Sequence, residues 1–101
     1  MYGVIHDATK VNYFRHIERV NYKYNKEYCK AFGIHLRKLR ENKGIGMRQF
    51  ALIADMEYSQ LSKIERGTTN PTISTVLALA IALEVTHTTL FDFKFSWDEI
   101  K

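Results

Sequence analysis

The sequence has few of the residues that disulfide scaffolds, metal sites and hydrolytic active sites require. Its one cysteine, Cys29, cannot form an intramolecular disulfide and is expected to be a buried, inert thiol. The four histidines are scattered, without the paired spacing of a zinc site. Paired carboxylates, a phosphate-binding loop and a nucleophile–base pair are also lacking. The sequence therefore predicts a protein that is not an enzyme and needs no cofactor.

Long apolar runs and prolines are scarce as well. The best apolar run, residues 76–83, is too short to cross a bilayer, and the N-terminus lacks the basic flank and apolar run of a signal peptide. We therefore expect a cytoplasmic protein with no membrane partner. A chain of 101 residues with 46% hydrophobic residues and a single proline is typical of one folded domain.

Basic residues are concentrated in the N-terminal two thirds of the chain. Residues 1–67 carry 13 basic and 7 acidic side chains, whereas residues 68–101 carry 2 and 4. The formal net charge of the whole chain is +4. This distribution favours an anionic partner for the first part of the molecule and not for the second.

The first 26 residues form a distinct N-terminal extension that is rich in tyrosine. Its apolar residues continue into the domain at helical spacing, which predicts an amphipathic helix; they are Tyr13, Ile17, Val20, Tyr24 and Tyr28. Such a stripe usually packs against the domain or a second subunit. The alternative is a basic, aromatic arm that contacts nucleic acid.

Apolar spacing over residues 27–93 predicts five short helices. The first ends near Gly44, the second covers residues 47–54, and the third runs to Arg66 and is closed by Gly67. Thr72 is the predicted N-cap of the fourth helix and Thr86 that of a last turn. The predicted buried face of the fourth helix comprises Ile73, Val76, Leu77, Ala80 and Leu83.

The C-terminal tail follows a different period. Phe91, Phe93, Phe95 and Trp97 alternate with polar residues, which predicts a short strand with one apolar face. A lone strand is unstable in water, so the tail needs a partner. Residues 94–101 are therefore a candidate dimerisation strand, and the N-terminal extension is the other possible partner.

The second and third predicted helices form a motif that carries function. Two short helices joined by a tight turn, the second opening with polar residues, can enter the major groove of DNA. Ala51 is small where the helices approach, and Met56 fills the turn. The free face of the third helix carries Tyr58, Ser59, Ser62 and Lys63.

These residues resemble the phage repressor and Cro-like (Xre) helix-turn-helix family. The resemblance covers residues 27–93 and includes the runs Phe32-Gly33, Ser62-Lys63-Ile64-Glu65-Arg66-Gly67 and Asn70-Pro71. It implies an all-α, five-helix, lambda-repressor-like domain that binds double-stranded operator DNA as a homodimer and regulates transcription, typically as a repressor, in bacteria or phage.

The resemblance also implies which residues contact DNA. They are Arg48, Gln49, Tyr58, Ser59, Gln60, Ser62, Lys63, Thr68, Thr69 and Asn70. Met47 stands where the family usually has a phosphate-binding glutamine, so Arg48 or Gln49 is the expected replacement. Glu57 stands where the family has a Ser or Thr cap, and Asp55 replaces the turn glycine while tolerating a left-handed backbone. For residues 68–70, turn formation is an equally good explanation.

Two further features leave alternatives open. Arg40 and Glu65 match an ion pair that joins the first and third helices in the family; it either only orients the helices or also presents Arg40 to DNA. Leu52, Ala78 and Ile81 are apolar where the family is commonly polar. They indicate a contact surface, cover from the N-terminal extension, or ordinary variation. An interaction module with a protein partner is therefore the alternative to a DNA-binding regulator.

Overall fold

A computed structural model describes residues 24–96 as an assembly of five α-helices. The helices are α1 (Lys26–Asn42), α2 (Met47–Ile53), α3 (Tyr58–Arg66), α4 (Ile73–Leu83) and α5 (His87–Leu90). The all-α, five-helix prediction is confirmed. Within residues 24–96, no helix is long and apolar enough to span a membrane. The predicted helix before residue 24 lies outside the described residues.

Short polar side chains fix where three of the helices begin. The side chain of Asn25 accepts a hydrogen bond from the backbone N–H of Tyr28 at the start of α1. Thr72 and Thr86 accept in the same way at the starts of α4 and α5, as predicted. Each side chain satisfies one backbone donor that the helix cannot pair internally. Gly67 ends α3 in the left-handed conformation, with a φ of 73°.

One hydrophobic core joins all five helices. Its fully buried side chains are Leu36 of α1, Phe50 of α2, Leu61 and Ile64 of α3, Leu79 and Leu83 of α4, and Leu90 of α5. Cys29 is buried beside this core, and burial raises the pKa of its thiol, as expected for an inert cysteine. Among the described residues, no group of His, Cys, Asp and Glu side chains could hold a metal ion.

The close approach of α1 to α3 depends on Gly33. A Cβ at this position would overlap the backbone carbonyl oxygens of Ile64 and Glu65. Because these are backbone atoms, they cannot rotate away as the end of a flexible side chain would. Gly33 thereby sets the distance between α1 and the last turn of α3.

We expect Gly33→Ala to lower the free energy of unfolding by about 3 kcal/mol, near the upper end of the usual cost of overpacking. Gly46→Ala is the matched control, since a Cβ there meets no atom within 4 Å and the residue has an ordinary φ of −74°. It should cost less than about 1 kcal/mol, the usual effect at an N-cap. Urea unfolding followed by circular dichroism measures both, and equal losses would contradict the role given to Gly33.

The buried face predicted for α4 is partly wrong. Val76 packs against the core, and Ala80 and Leu83 are buried, but Ile73 is 89% exposed and Leu77 is 55% exposed. The core instead takes Leu79 and Ala82 from this helix. Apolar residues lie nearly all round α4, so their spacing does not determine which face is buried.

The tail packs against α1, and no strand occurs in its described part, residues 91–96. The rings of Phe93 and Phe95 lie 5.4 Å and 5.0 Å from the ring of Tyr28, measured between centroids. Phe91 likewise lies 5.1 Å from Phe32. Alternation correctly indicated one apolar side. Phe93 and Phe95 on that side pack against Tyr28 of α1 without pairing with another strand, whereas Phe91 remains 40% exposed. Trp97 and the residues after it lie outside the described residues.

Candidate nucleic-acid interface

A tight turn joins α2 and α3. Asp55 adopts a φ of 56°, the left-handed conformation that its position in the turn was expected to require. The backbone N–H of Met56 donates to the carbonyl of Ala51 at 2.9 Å, which closes the turn against the end of α2. Ala51 is buried and Met56 packs against the core. The two helices therefore form a helix-turn-helix with a fixed connection.

A buried ion pair holds α3 in place. The Nε of Arg40 donates to Oε2 of Glu65 at 2.6 Å, and Nη2 donates to Oε1 at 3.0 Å. The Nη1 of Arg40 donates to the carbonyl of Ile45 at 2.8 Å. This carboxylate raises the pKa of Arg40 above its ordinary value. Arg40 is only 7% exposed, and its hydrogen bonds join α1 to α3 and to the loop after α1.

The outer face of α3 is polar. Leu61, Ile64 and Glu65 face inward, whereas the other side of the helix carries the residues expected to read bases. Of these, Tyr58, Ser59 and Lys63 are exposed and Ser62 is half-buried; Gln60 is also exposed. The structure thus brings the predicted contact residues of α3 onto its solvent side, with hydroxyl groups, a phenol and an ammonium available as hydrogen-bonding groups.

Arg66 belongs to the same surface, although the sequence interpretation missed it. Its Nε donates to Oγ of Ser62 at 3.2 Å, and its side chain is exposed. The spacing of four residues from Ser62 was the signal that could have identified it, because residues i and i+4 share a helix face. The end of α3 therefore presents a guanidinium in addition to the ammonium of Lys63.

The start of α2 contributes a third cation to this surface. The guanidinium carbon of Arg48 lies 5.0 Å from the centroid of the Tyr58 ring, a cation–π arrangement that joins α2 to the first residue of α3. Met47 is half-buried and packs against the core, while Arg48 and Gln49 are exposed. Glu57 is the N-cap residue of α3, but its side chain makes no capping hydrogen bond.

The loop after α3 lies at the other end of this surface. The backbone N–H and the hydroxyl of Thr68 both donate to the carbonyl of Lys63, at 3.0 Å and 3.3 Å. Thr68 thus caps the end of α3, while Thr69 is half-buried and Asn70 is exposed. Because α3 is about 13 Å long, the loop is separated from Arg48 and Tyr58 by the length of the helix. The predicted residues form a strip rather than one cluster.

Comparison with known proteins agrees with this geometry. The model of the helix-turn-helix family HTH_3 matches residues 36–90, which is more than half of the chain. The chain belongs to the helix-turn-helix family. The matched region of this helix-turn-helix protein begins within α1 and ends at the last residue of α5, so it contains the whole motif, α4, α5 and the second part of α1.

Individual relatives are regulators rather than enzymes. The helix-turn-helix transcriptional regulator SlrR of Bacillus subtilis is 41% identical over 58 residues, which are 56% of this chain and 38% of SlrR. The restriction–modification controller protein C.AhdI of Aeromonas hydrophila superposes with a TM-score of 0.62 and is 33% identical, covering 62% of this chain and 96% of that structure. The chain spans no more than half of the length of two of the curated relatives that it matches.

A third similar structure was solved with DNA. It is SinR, described as the master regulator for biofilm formation, in complex with DNA; SinR comes from Bacillus subtilis. It superposes with a TM-score of 0.57 at 34% identity and covers 60% of this chain and 98% of that structure. The fold of this helix-turn-helix protein is therefore one that binds DNA in a protein of known structure.

Proposed function

We propose that this helix-turn-helix protein is a sequence-specific DNA-binding transcriptional regulator that reads base edges with the outer face of α3. The observation that carries the proposal is the polar outer face of α3 on a helix locked by a buried ion pair. A helix in the major groove must present hydrogen-bonding side chains in a fixed orientation to distinguish base pairs. The bidentate contact between Arg40 and Glu65 supplies that orientation.

Each part of the strip has its own role in the proposal. The residues that face bases or nearby phosphates are Tyr58, Ser59, Ser62 and Lys63. The residues assigned to the DNA backbone are Arg48, Gln49, Gln60, Thr68, Thr69 and Asn70. Backbone contacts fix the register of the protein on the duplex, and base contacts determine the sequence that is bound. We assign this DNA-binding unit to residues 27–93, with residues 1–26 as an extension and 94–101 as a tail.

We further propose that the protein acts as a homodimer on a two-fold operator, as a repressor in the cytoplasm. Two copies of α3 about 34 Å apart would enter successive major grooves on one side of the duplex. The likeness to SinR, which was solved in complex with DNA, supports DNA binding by this fold, and the two-fold arrangement follows from the geometry of successive major grooves. A tail that continues past its contacts with α1 is the candidate dimerisation segment.

Exposed apolar side chains favour a second function, contact with a protein partner. Leu52 on α2 is 80% exposed and Ile81 on α4 is 66% exposed. Ala78 is half-buried. Large apolar side chains in solvent often mark interaction surfaces. None of these side chains belongs to the base-contacting face of α3, so contact of this kind is compatible with DNA binding.

Lys63→Ala tests the proposed reading face. If Lys63 contacts a base edge, the variant should lose about 1–3 kcal/mol of binding free energy on the preferred duplex, roughly a 5- to 150-fold loss in affinity. The loss on an unrelated duplex should be smaller, so that specificity falls. Fluorescence anisotropy titrations at fixed salt measure both affinities.

Lys38→Ala is the matched control, since it removes the same charge from an exposed site on α1. Lys38 lies beside Phe93 and Lys94 of the tail, away from the α2–α3 motif. Its effect on binding should be less than about 0.5 kcal/mol. Equal losses of affinity in the two variants would mean that only total charge affects binding and that Lys63 does not contact a base.

A further inference from the structure

An apolar groove borders the loop after α3, and Asn70 at the end of the proposed DNA-contact strip forms part of its wall. It has a volume of about 480 Å³, and its walls come from α1, the loop after α3, α4 and α5. Tyr28, Pro71, Ile73, Leu77 and Phe91 are among the residues that line it. Three of them are largely open to solvent, since Ile73 is 89%, Leu77 55% and Phe91 40% exposed.

The exposed lining of the groove is mainly apolar. Ile73 and Leu77 are four residues apart on α4 and both line it, and Ile81 continues the same row beyond the groove. Exposed apolar surfaces often mark the contact site of another segment or molecule. We therefore expect a chain segment or a partner molecule with apolar side chains at matching spacing to lie on this face.

The chain enters the domain at the edge of this groove. The hydroxyl of Tyr24 donates to the carbonyl of Gly67 at 2.6 Å, and Asn25 then caps α1. Tyr28, one turn further along α1, already lines the groove. Twenty-three residues precede Tyr24. Because an extended chain spans about 3.3 Å per residue, residues 20–23 alone can reach about 13 Å from Tyr24.

The composition of that segment matches the groove. Tyr13, Ile17 and Val20 are four and three residues apart, the spacing of one helix face. Residues 1–23 also carry four basic and two acidic side chains, whereas residues 68–101 are net acidic. Asp92 lies beside His87 and Phe91, two residues of the groove wall. The segment thus combines an apolar stripe with basic residues, and Asp92 is an acidic residue beside the groove wall.

We propose that residues 1–23 of the same chain fold back onto the domain and occupy this groove, with Tyr13, Ile17 and Val20 facing Ile73, Leu77 and Phe91. The occupant is intramolecular, since its attachment at Tyr24 keeps the segment next to the groove at a high effective concentration. The contact covers Ile73 and Leu77 of α4 and leaves the outer face of α3 open. The proposed contact between the segment and the groove does not depend on DNA binding.

Limited trypsin digestion of the full chain tests this proposal. Arg15 and Arg19 lie between Tyr13 and Val20 in the sequence, so trypsin should cut a docked segment slowly at both sites. The double variant Ile73→Gln with Leu77→Gln should accelerate cleavage at both sites roughly tenfold or more, because proteolysis follows the population of the undocked segment. Ile17→Gln, the reciprocal change in the segment, should do the same. Mass spectrometry identifies the sites, and a thermal unfolding scan verifies that the variants remain folded.

Leu52→Gln is the matched control, because Leu52 is an equally exposed apolar residue outside the groove. It should leave the cleavage rates unchanged. The proposal is overturned if wild-type protein is cut at Arg15 and Arg19 as fast as a synthetic peptide of residues 1–26, or if the groove variants do not differ from Leu52→Gln. Protection that rises with protein concentration, together with a dimer mass by light scattering, would also overturn it and assign the groove to a second copy.

Discussion

Replacing Glu65 by alanine is expected to lower the free energy of unfolding by about 3–5 kcal/mol. The substitution leaves the guanidinium of Arg40 buried without the carboxylate to which it donates two hydrogen bonds. An unpaired charge in a site that excludes water costs far more than the pair contributes when intact. Chemical denaturation at neutral pH measures the loss.

Two controls separate this effect from a general loss of charge. Glu41→Ala breaks the ion pair between Arg37 and Glu41, whose side chains are 64% and 53% exposed, and should cost less than about 0.5 kcal/mol. The double variant Arg40→Met with Glu65→Leu removes both buried charges and should recover most of the lost stability. A loss in Glu65→Ala as small as that in Glu41→Ala would contradict the locking role of the pair.

The affinity of the protein for its preferred duplex is expected to fall about a thousandfold between 50 and 200 mM salt if it binds as a dimer. Arg48, Lys63 and Arg66 are exposed on or beside α3, so two subunits present six such cations. Each phosphate that a cation neutralises releases condensed counterions, which makes the logarithm of affinity fall with the logarithm of salt concentration at a slope of about −0.9 per contact. A monomer with half as many contacts should lose only about fortyfold.

Arg48→Ala provides the comparison for the salt dependence. Loss of one phosphate contact per subunit should make the slope of log affinity against log salt concentration less negative by about 1 for each subunit bound. The variant should also release Tyr58, whose ring lies beneath the Arg48 guanidinium. Anisotropy titrations at four or more salt concentrations give the slopes. A slope that is close to zero in the wild type would mean that phosphate contacts do not drive the interaction.

Local signals in the sequence predicted much of the fold. Thr72, Thr86 and Gly67 act at helix ends through hydrogen bonds or backbone conformations that involve only near neighbours, and each was placed correctly. The left-handed turn at Asp55 is local in the same sense. Features of this kind are encoded within a few residues, so they can be inferred without knowledge of the tertiary structure.

Features that depend on tertiary packing were predicted less well. Ile73 and Leu77 were assigned to the core because they are apolar, yet α4 has apolar residues on most of its surface and the core takes only one side. The contact between Arg48 and Tyr58 joins two helices whose relative position is set by the turn and the core. For the interface, the sequence therefore indicated the polar face of α3 and the cation Arg48, but it did not show that Arg48 lies over Tyr58, and it missed Arg66.

Selection of duplexes from a random pool tests the central claim most directly. If the outer face of α3 reads bases as a two-fold dimer, the full chain should enrich a motif with two inverted half-sites whose centres lie about 10 base pairs apart. Lys63→Ala should relax preference at one position in each half-site, whereas Lys38→Ala should enrich the wild-type motif. A pool that stays random after repeated rounds with folded wild-type protein would contradict sequence-specific DNA binding and favour the protein-interaction function.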